Sequence, residues 1–123
     1  HFPWAVEVGH AAYLREGTSE SLLLFVSALR ASGLPLIAID LLQKQMESNS
    51  DVLELLDLLS ALQLEIKDLG GATQTAERLL NTPGAANKYR RQAHLRLATI
   101  EEEKGNKNQA TWHRERAGEL RDN

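Results

Sequence analysis

Ser-Leu-Leu-Leu-Phe-Val-Ser-Ala-Leu-Arg-Ala-Ser-Gly-Leu-Pro-Leu-Ile-Ala, residues 21–38, decides the fold. Residues 22–29 are apolar on nearly every helical face, the pattern of a helix covered on several sides. Gly33 follows, a residue that can take the left-handed conformation that stops a helix. Pro35 opens the next segment in a first-turn position, where its missing N–H breaks no helical bond. The stretch predicts two helices joined by a tight turn.

The same punctuation recurs on both sides. Turn signals fall at Gly17-Thr18-Ser19, Asn49-Ser50-Asp51, Gly70-Gly71, Thr82-Pro83-Gly84 and Gly105-Asn106. The intervening segments run to about 12–20 residues, too long for strands and right for helices. Seven helices are expected, near 3–15, 19–32, 35–48, 52–69, 72–82, 87–104 and 107–121. Thr18 or Ser19 is expected to cap the second and Ser50 or Asp51 the fourth. Gly70 and Gly105 are expected to end helices as Gly33 does.

Composition agrees with an all-α reading. The chain has 123 residues, 42% hydrophobic and 5% aromatic. Leu and Ala supply most of the apolar mass, and Val and Ile are too few for a sheet core. There are no cysteines, which removes disulfides, thiolate metal sites and cysteine nucleophiles. The longest apolar run, Leu22 to Val26, is far short of the ~18 residues a spanning helix needs, so no membrane insertion is expected. No signal-like segment opens the chain, which begins at His1. It is read as a piece of a longer chain or a processed product, cytoplasmic or, if bacterial and processed, periplasmic.

Gly33, Gly70 and Gly105 also set a repeat, 37 and 35 residues apart. Eleven residues before them stand Leu22, Leu59 and His94; eight before stand Phe25, Leu62 and Leu97. Ala38 and Ala110 lie five residues after their glycines, with Thr75 at that place in the middle copy. A period near 35 with a helix on each side of a turn is the mark of a helical-hairpin array.

On these residues the chain resembles the tetratricopeptide repeat family, over residues 19–119. That pattern wants a small residue seven before the turn glycine and a small Ala five after it. Residues 21–38 fit except for Val26, and residues 94–110 fit with Ala98 and Ala110 in place. The middle copy reads as degenerate, with Gln63 and Thr75 where small residues belong. The resemblance implies one domain over 1–123, an α-α superhelix of antiparallel hairpins: a lone helix at 1–18, then repeats at 19–50, 51–84 and 85–123. It also implies a concave groove lined by the first helix of each hairpin. Carried over, the groove residues are Glu20, Leu23, Ser27 and Arg30; then Asp57, Ser60, Leu64 and Lys67; then Gln92, Leu95, Arg96, Thr99 and Glu102. Members that clamp a chaperone's C-terminal carboxylate use a Lys, Asn, Asn, Lys, Arg set. The matching positions here are Leu23, Ser27, Ala61, Gln92 and Arg96, and only Arg96 agrees. The first helix becomes half a hairpin, so Trp4 and Val8 form an end-docking face for upstream residues, a partner or a second copy.

Other chemistry is thin. His1, His10, His94 and His113 have no metal-ligand spacing, and they read as surface or partly packed imidazoles. Glu101-Glu102-Glu103 is a solvated helix end rather than a catalytic dyad, with Glu103 and Lys107 a favourable pair one turn apart. Residues 1–84 carry a balance of −6 and residues 85–123 a balance of +3, which suits an acidic partner for the C-terminal part. The densest basic cluster is Lys88-Tyr89-Arg90-Arg91 with Arg96. It allows nucleic-acid contact, but an overall pI near 5.8 places that reading behind protein binding. No glycine-rich phosphate loop or nucleophile motif appears. Trp112 is expected to pack on the helix before it. The chain reads as a non-catalytic scaffold without cofactors, binding a protein or peptide segment, and it resembles modules that serve bacterial secretion, pilus or polysaccharide export assemblies and many eukaryotic complexes. The alternatives are a self-associating spacer and a nucleic-acid adaptor using residues 88–96.

Overall fold

The computed structural model describes residues 3–48 and 52–121, and all of its regular secondary structure is α-helical. In chain order the helices are α1 (Pro3–Glu16), α2 (Ser19–Ala31), α3 (Pro35–Ser48), α4 (Leu53–Glu65), α5 (Leu69–Asn81), α6 (Asn87–Glu103) and α7 (Lys107–Glu119). They divide between two compact units, His1–Ser50 and Asp51–Asn123.

In the first unit α2 packs against both α1 and α3. Its start is fixed by a reciprocal cap. The Ser21 amide donates to Thr18 Oγ1 and the Thr18 amide to Ser21 Oγ, each at 3.0 Å. This satisfies two groups that a helix start otherwise leaves without partners. Leu22, Phe25, Val26 and Leu29 are buried along α2, with Ala38, Ile39, Leu42 and Met46 from α3. α1 approaches α2 at Gly9, where a Cβ would stand 3.0 Å from the Phe25 Cα. A glycine there lets the two backbones come close. His10 and Tyr13 stack on the Phe25 ring at 5.1 and 6.1 Å, and the Tyr13 hydroxyl donates to Gln45 Oε1 of α3 at 3.2 Å.

In the second unit α4 pairs with α5 and α6 with α7, while α6 also packs on α5 and α4. Its core includes Leu55, Leu56, Leu59 and Leu62 of α4, Ala72, Ala76 and Leu79 of α5, and Ala93, Leu97, Ala98 and Ile100 of α6. Ala110 and Ala117 are the buried residues of α7.

The three hairpin turns share one geometry, and the middle one corrects the sequence reading. At the first, the Gly33 amide bonds the Arg30 carbonyl and the Leu34 amide bonds the Leu29 carbonyl; at the last, Gly105 and Asn106 do the same with Glu102 and Glu101. This pair of bonds needs a left-handed residue, and Gly33 and Gly105 have φ of 77° and 85°. In the middle hairpin that residue is Lys67, with φ 64°, and Lys67 and Asp68 make the matching bonds to Leu64 and Gln63. Gly70 is not a turn residue. It lies in the first turn of α5, whose N-cap Asp68 accepts from the Gly71 amide at 3.0 Å.

Moving the turn three residues back restores the pattern of the middle copy. Ser60 now stands seven residues before the turn and Ala72 five after it, and both are fully buried. Gln63 and Thr75 leave the small-residue positions, and the Thr75 hydroxyl satisfies the buried Gln63 Oε1 at 2.7 Å. Ser50 and Asp51, expected as caps, lie outside the described residues. The N-cap of α4 is Val52, which makes no side-chain capping bond.

The shifted turn has a test in single glycine changes. A Cβ on Gly70 meets open space, so Gly70→Ala should raise stability by about 0.5–1 kcal/mol, the usual gain on replacing a helical glycine. Gly105→Ala should lower it by about 1 kcal/mol, because alanine pays for the left-handed conformation. Thermal melts of both variants decide the matter. A Gly70→Ala loss matching that of Gly105→Ala would return the turn to Gly70.

Candidate partner-binding groove

α4 and α6 are the first helices of their hairpins and lie side by side in the second unit. The correction at the turn changes which α4 residues face outward beside α6. Ser60 is fully buried, with its hydroxyl donating to the Asp57 carbonyl at 2.8 Å, so it cannot line a groove. Lys67 lies beyond the end of α4, and its ammonium reaches Glu103 Oε1 at 2.6 Å. Counted from the true turn, the positions matching Glu20, Leu23, Ser27 and Arg30 of α2 are Glu54, Asp57, Ala61 and Leu64. Glu54 is exposed, while Asp57, Ala61 and Leu64 are half-buried. The sequence reading, three residues out of step here, did not put Glu54 and Ala61 at these positions. Alanines 38, 72 and 110, each at one place in its hairpin, carried the signal that would have found them.

The structure brings Asp57 and Arg96 together. The Arg96 guanidinium bonds the Asp57 carboxylate, with the two side chains 18% and 27% exposed. This cross-brace ties α4 to α6 through a charge-assisted hydrogen bond, stronger than a neutral one. Around it Leu95 is 40% exposed, Gln92 is exposed and Thr99 is half-buried, its hydroxyl turned back onto the Leu95 carbonyl at 3.1 Å. Glu102 is exposed and bonds Arg114 of α7 at 2.5 Å. Leu64 packs on the cluster of Ala72, Ala76, Leu97 and Ile100. The result is a mixed surface: Ala61, Leu64 and Leu95 expose apolar area on the two helices that the neutralised charge pair joins.

The α2 set belongs to the other unit. Glu20, Ser27 and Arg30 are exposed there and Leu23 is half-buried. On α1, Trp4 is 68% exposed and Val8 is exposed beside it, while Ala5, Val6, Gly9, Ala12 and Tyr13 turn inward. Ala11 is exposed as well.

Trp112 is not a core residue. It meets His94 of α6 edge to face at 5.9 Å, as expected for a residue against the preceding helix, but it is 48% exposed with the Arg116 guanidinium 5.4 Å from its ring centre. The Lys88 ammonium lies 4.9 Å from the Tyr89 ring, so part of the basic cluster folds onto its own aromatic. Among the described residues no three His, Asp or Glu side chains converge as a cation site, and no helix is long and apolar enough to cross a membrane. No family model matches the sequence, and no curated protein matches it either.

Proposed function

We propose that the chain is a tetratricopeptide-like scaffold that binds an extended segment of another protein along the α4–α6 surface, without catalysis. The observation that supports this best is the partly exposed Ala61, Leu64 and Leu95 on the two helices joined by the Asp57–Arg96 brace. Peptide grooves of helical hairpins combine apolar contact for affinity with fixed polar groups for register. The recovered small residues, Ser60 and Ala72, add weight to the family reading, because they are what lets hairpin helices approach closely. Engagement of Arg96 by Asp57 removes the one residue that matched a carboxylate clamp from free competition for a peptide terminus.

A random-peptide display selection followed by affinity measurement tests the reading. Leu95→Asp places a charge on this apolar surface without touching the core. It should weaken selected peptides at least tenfold, about 1.4 kcal/mol. Peptides that bind Leu95→Asp as well as the wild type would move the site elsewhere.

The second reading is self-association through α1, favoured by the exposure of Trp4 and Val8 on one helix. An exposed tryptophan with an apolar neighbour is a common interface anchor. Sedimentation across a wide concentration range separates the two, since a strict monomer rejects self-association.

A further inference from the structure

The α6–α7 hairpin departs from its two neighbours at one pair of positions. Eleven residues before the turn and eight after it stand Leu22 and Leu41 in the first hairpin, and Leu56 and Thr75 in the second. Neither pair can ionise. In the third hairpin the same positions hold His94 and His113. The two rings meet across the helix pair with their Nδ1 atoms 3.1 Å apart and their centroids at 5.4 Å. His94 is buried, as Leu22 and Leu56 are, and Trp112 closes over it from α7.

Two Nδ1 atoms at hydrogen-bond distance share one proton: one ring donates N–H and the other accepts with its lone pair. That arrangement survives with both rings neutral, and it survives one protonation. It does not survive two, because both nitrogens then carry hydrogens and both rings carry charge at contact distance.

We propose that the His94–His113 bridge makes the docking of α7 on α6 depend on pH, closed at neutral pH and loosened in mildly acidic solution. The surrounding charges favour this. Arg90, on the same helix as His94, and Arg116, on α7, both oppose a charge on His94. Glu101 of α6 and Glu77 of α5 favour a charge on His113, which directs the first proton there and leaves His94 the ring that resists. Toward α4, α6 presents the Asp57–Arg96 pair, which is already neutralised. Burial, then His113, Arg90 and Arg116, hold His94 below its ordinary 6.5, and burial does the same for His113. A histidine depressed in the folded state binds fewer protons there than when unfolded. Its contribution is therefore complete above 6.5, declines as the pH falls below that value, and is spent once the pH passes the folded pKa. Glu101 is held below its ordinary carboxylate value chiefly by the Asn106 side chain, so it stays charged through this window. Arg114 of α7 also bonds Glu102, so loosening α7 removes that brace from the α6 surface as well.

Hydrogen exchange of the α7 amides in the full chain at neutral pH and near pH 5, with protection factors corrected for intrinsic rates, tests the proposal. Depressed histidines shift the balance toward the opened form as they are protonated, so α7 protection in the wild type should fall on acidification, and by more than in either single histidine variant. His94→Leu, which installs the residue of the other hairpins, removes the more deeply buried ring and should shrink the loss to the part that burial of His113 carries. His113→Gln, at a half-exposed position, removes the second charge and should reduce the loss to the part that burial and the two arginines place on His94, and it serves if His94→Leu folds poorly. His10→Gln, in the other unit, should leave the loss in place. The histidine Cε1 proton shifts should report His94 titrating below 6.5. Unchanged wild-type protection across the window overturns the proposal, as does an acid loss that is undiminished in both His94→Leu and His113→Gln.

Discussion

Ile100→Ala should lower stability by about 3 kcal/mol, within the range found when a buried isoleucine is cut to alanine. Ile100 is fully buried and packs with Leu97 of its own helix and Ala72 and Ala76 of α5; Leu64, Leu69 and Leu80 flank the cluster. Two of its closest neighbours are alanines, whose methyl groups are fixed to rigid helices and cannot swing into the void. The cavity therefore stays open, and the lost contacts add to the lost transfer energy. Ile100→Val removes one methyl group and should cost only about 1 kcal/mol. Leu24→Ala, at an exposed position on α2, should change stability by no more than about 0.5 kcal/mol. Urea unfolding followed by circular dichroism gives all three values. An Ile100→Ala loss no larger than that of Leu24→Ala would mean that the α5–α6 contact is not the packing centre described above.

The all-helical architecture was legible because its signals are local. Thr18, Pro35, Gly33 and Gly105 each fix a helix end through their own local chemistry, and the structure finds them in those roles. The middle turn was misread because a glycine pair is a strong turn signal and a left-handed lysine gives none. What placed the turn at Lys67 was tertiary: it buries the small Ser60 and Ala72 where α4 and α5 pack, and Asp68 was available to cap what followed. The same slip of three residues carried Ser60 and Lys67 into the expected groove and left Glu54 out. The His94–His113 pair was hidden for a different reason. Its members are 19 residues apart, so a search along one helix face for neighbours three or four apart passes over them, and only the folded hairpin brings them together.

Arg96→Ala should cost about 2 kcal/mol, and its size bears directly on the α4–α6 surface. Exposed ion pairs contribute about 0–1 kcal/mol, because water solvates either partner well when the other is removed. Truncating one member of a buried pair costs about 3–5 kcal/mol, since the survivor is left charged and poorly solvated. The Asp57–Arg96 pair lies between these limits, with both side chains mostly but not wholly covered. Lys67→Ala provides the exposed reference. Its ammonium also meets a carboxylate, Glu103, but the lysine side chain is 69% exposed, so the change should cost no more than about 0.5 kcal/mol. If the Arg96 loss arises from a stranded Asp57, replacing both residues by apolar ones of similar size should recover most of it, as it does for other covered pairs. The double-mutant cycle through Arg96→Met and Asp57→Leu measures that recovery. A cycle with no coupling would show that Arg96 contributes only the packing of its hydrocarbon stem, and the brace between α4 and α6 would then have to be sought in Leu64 and Leu97 alone.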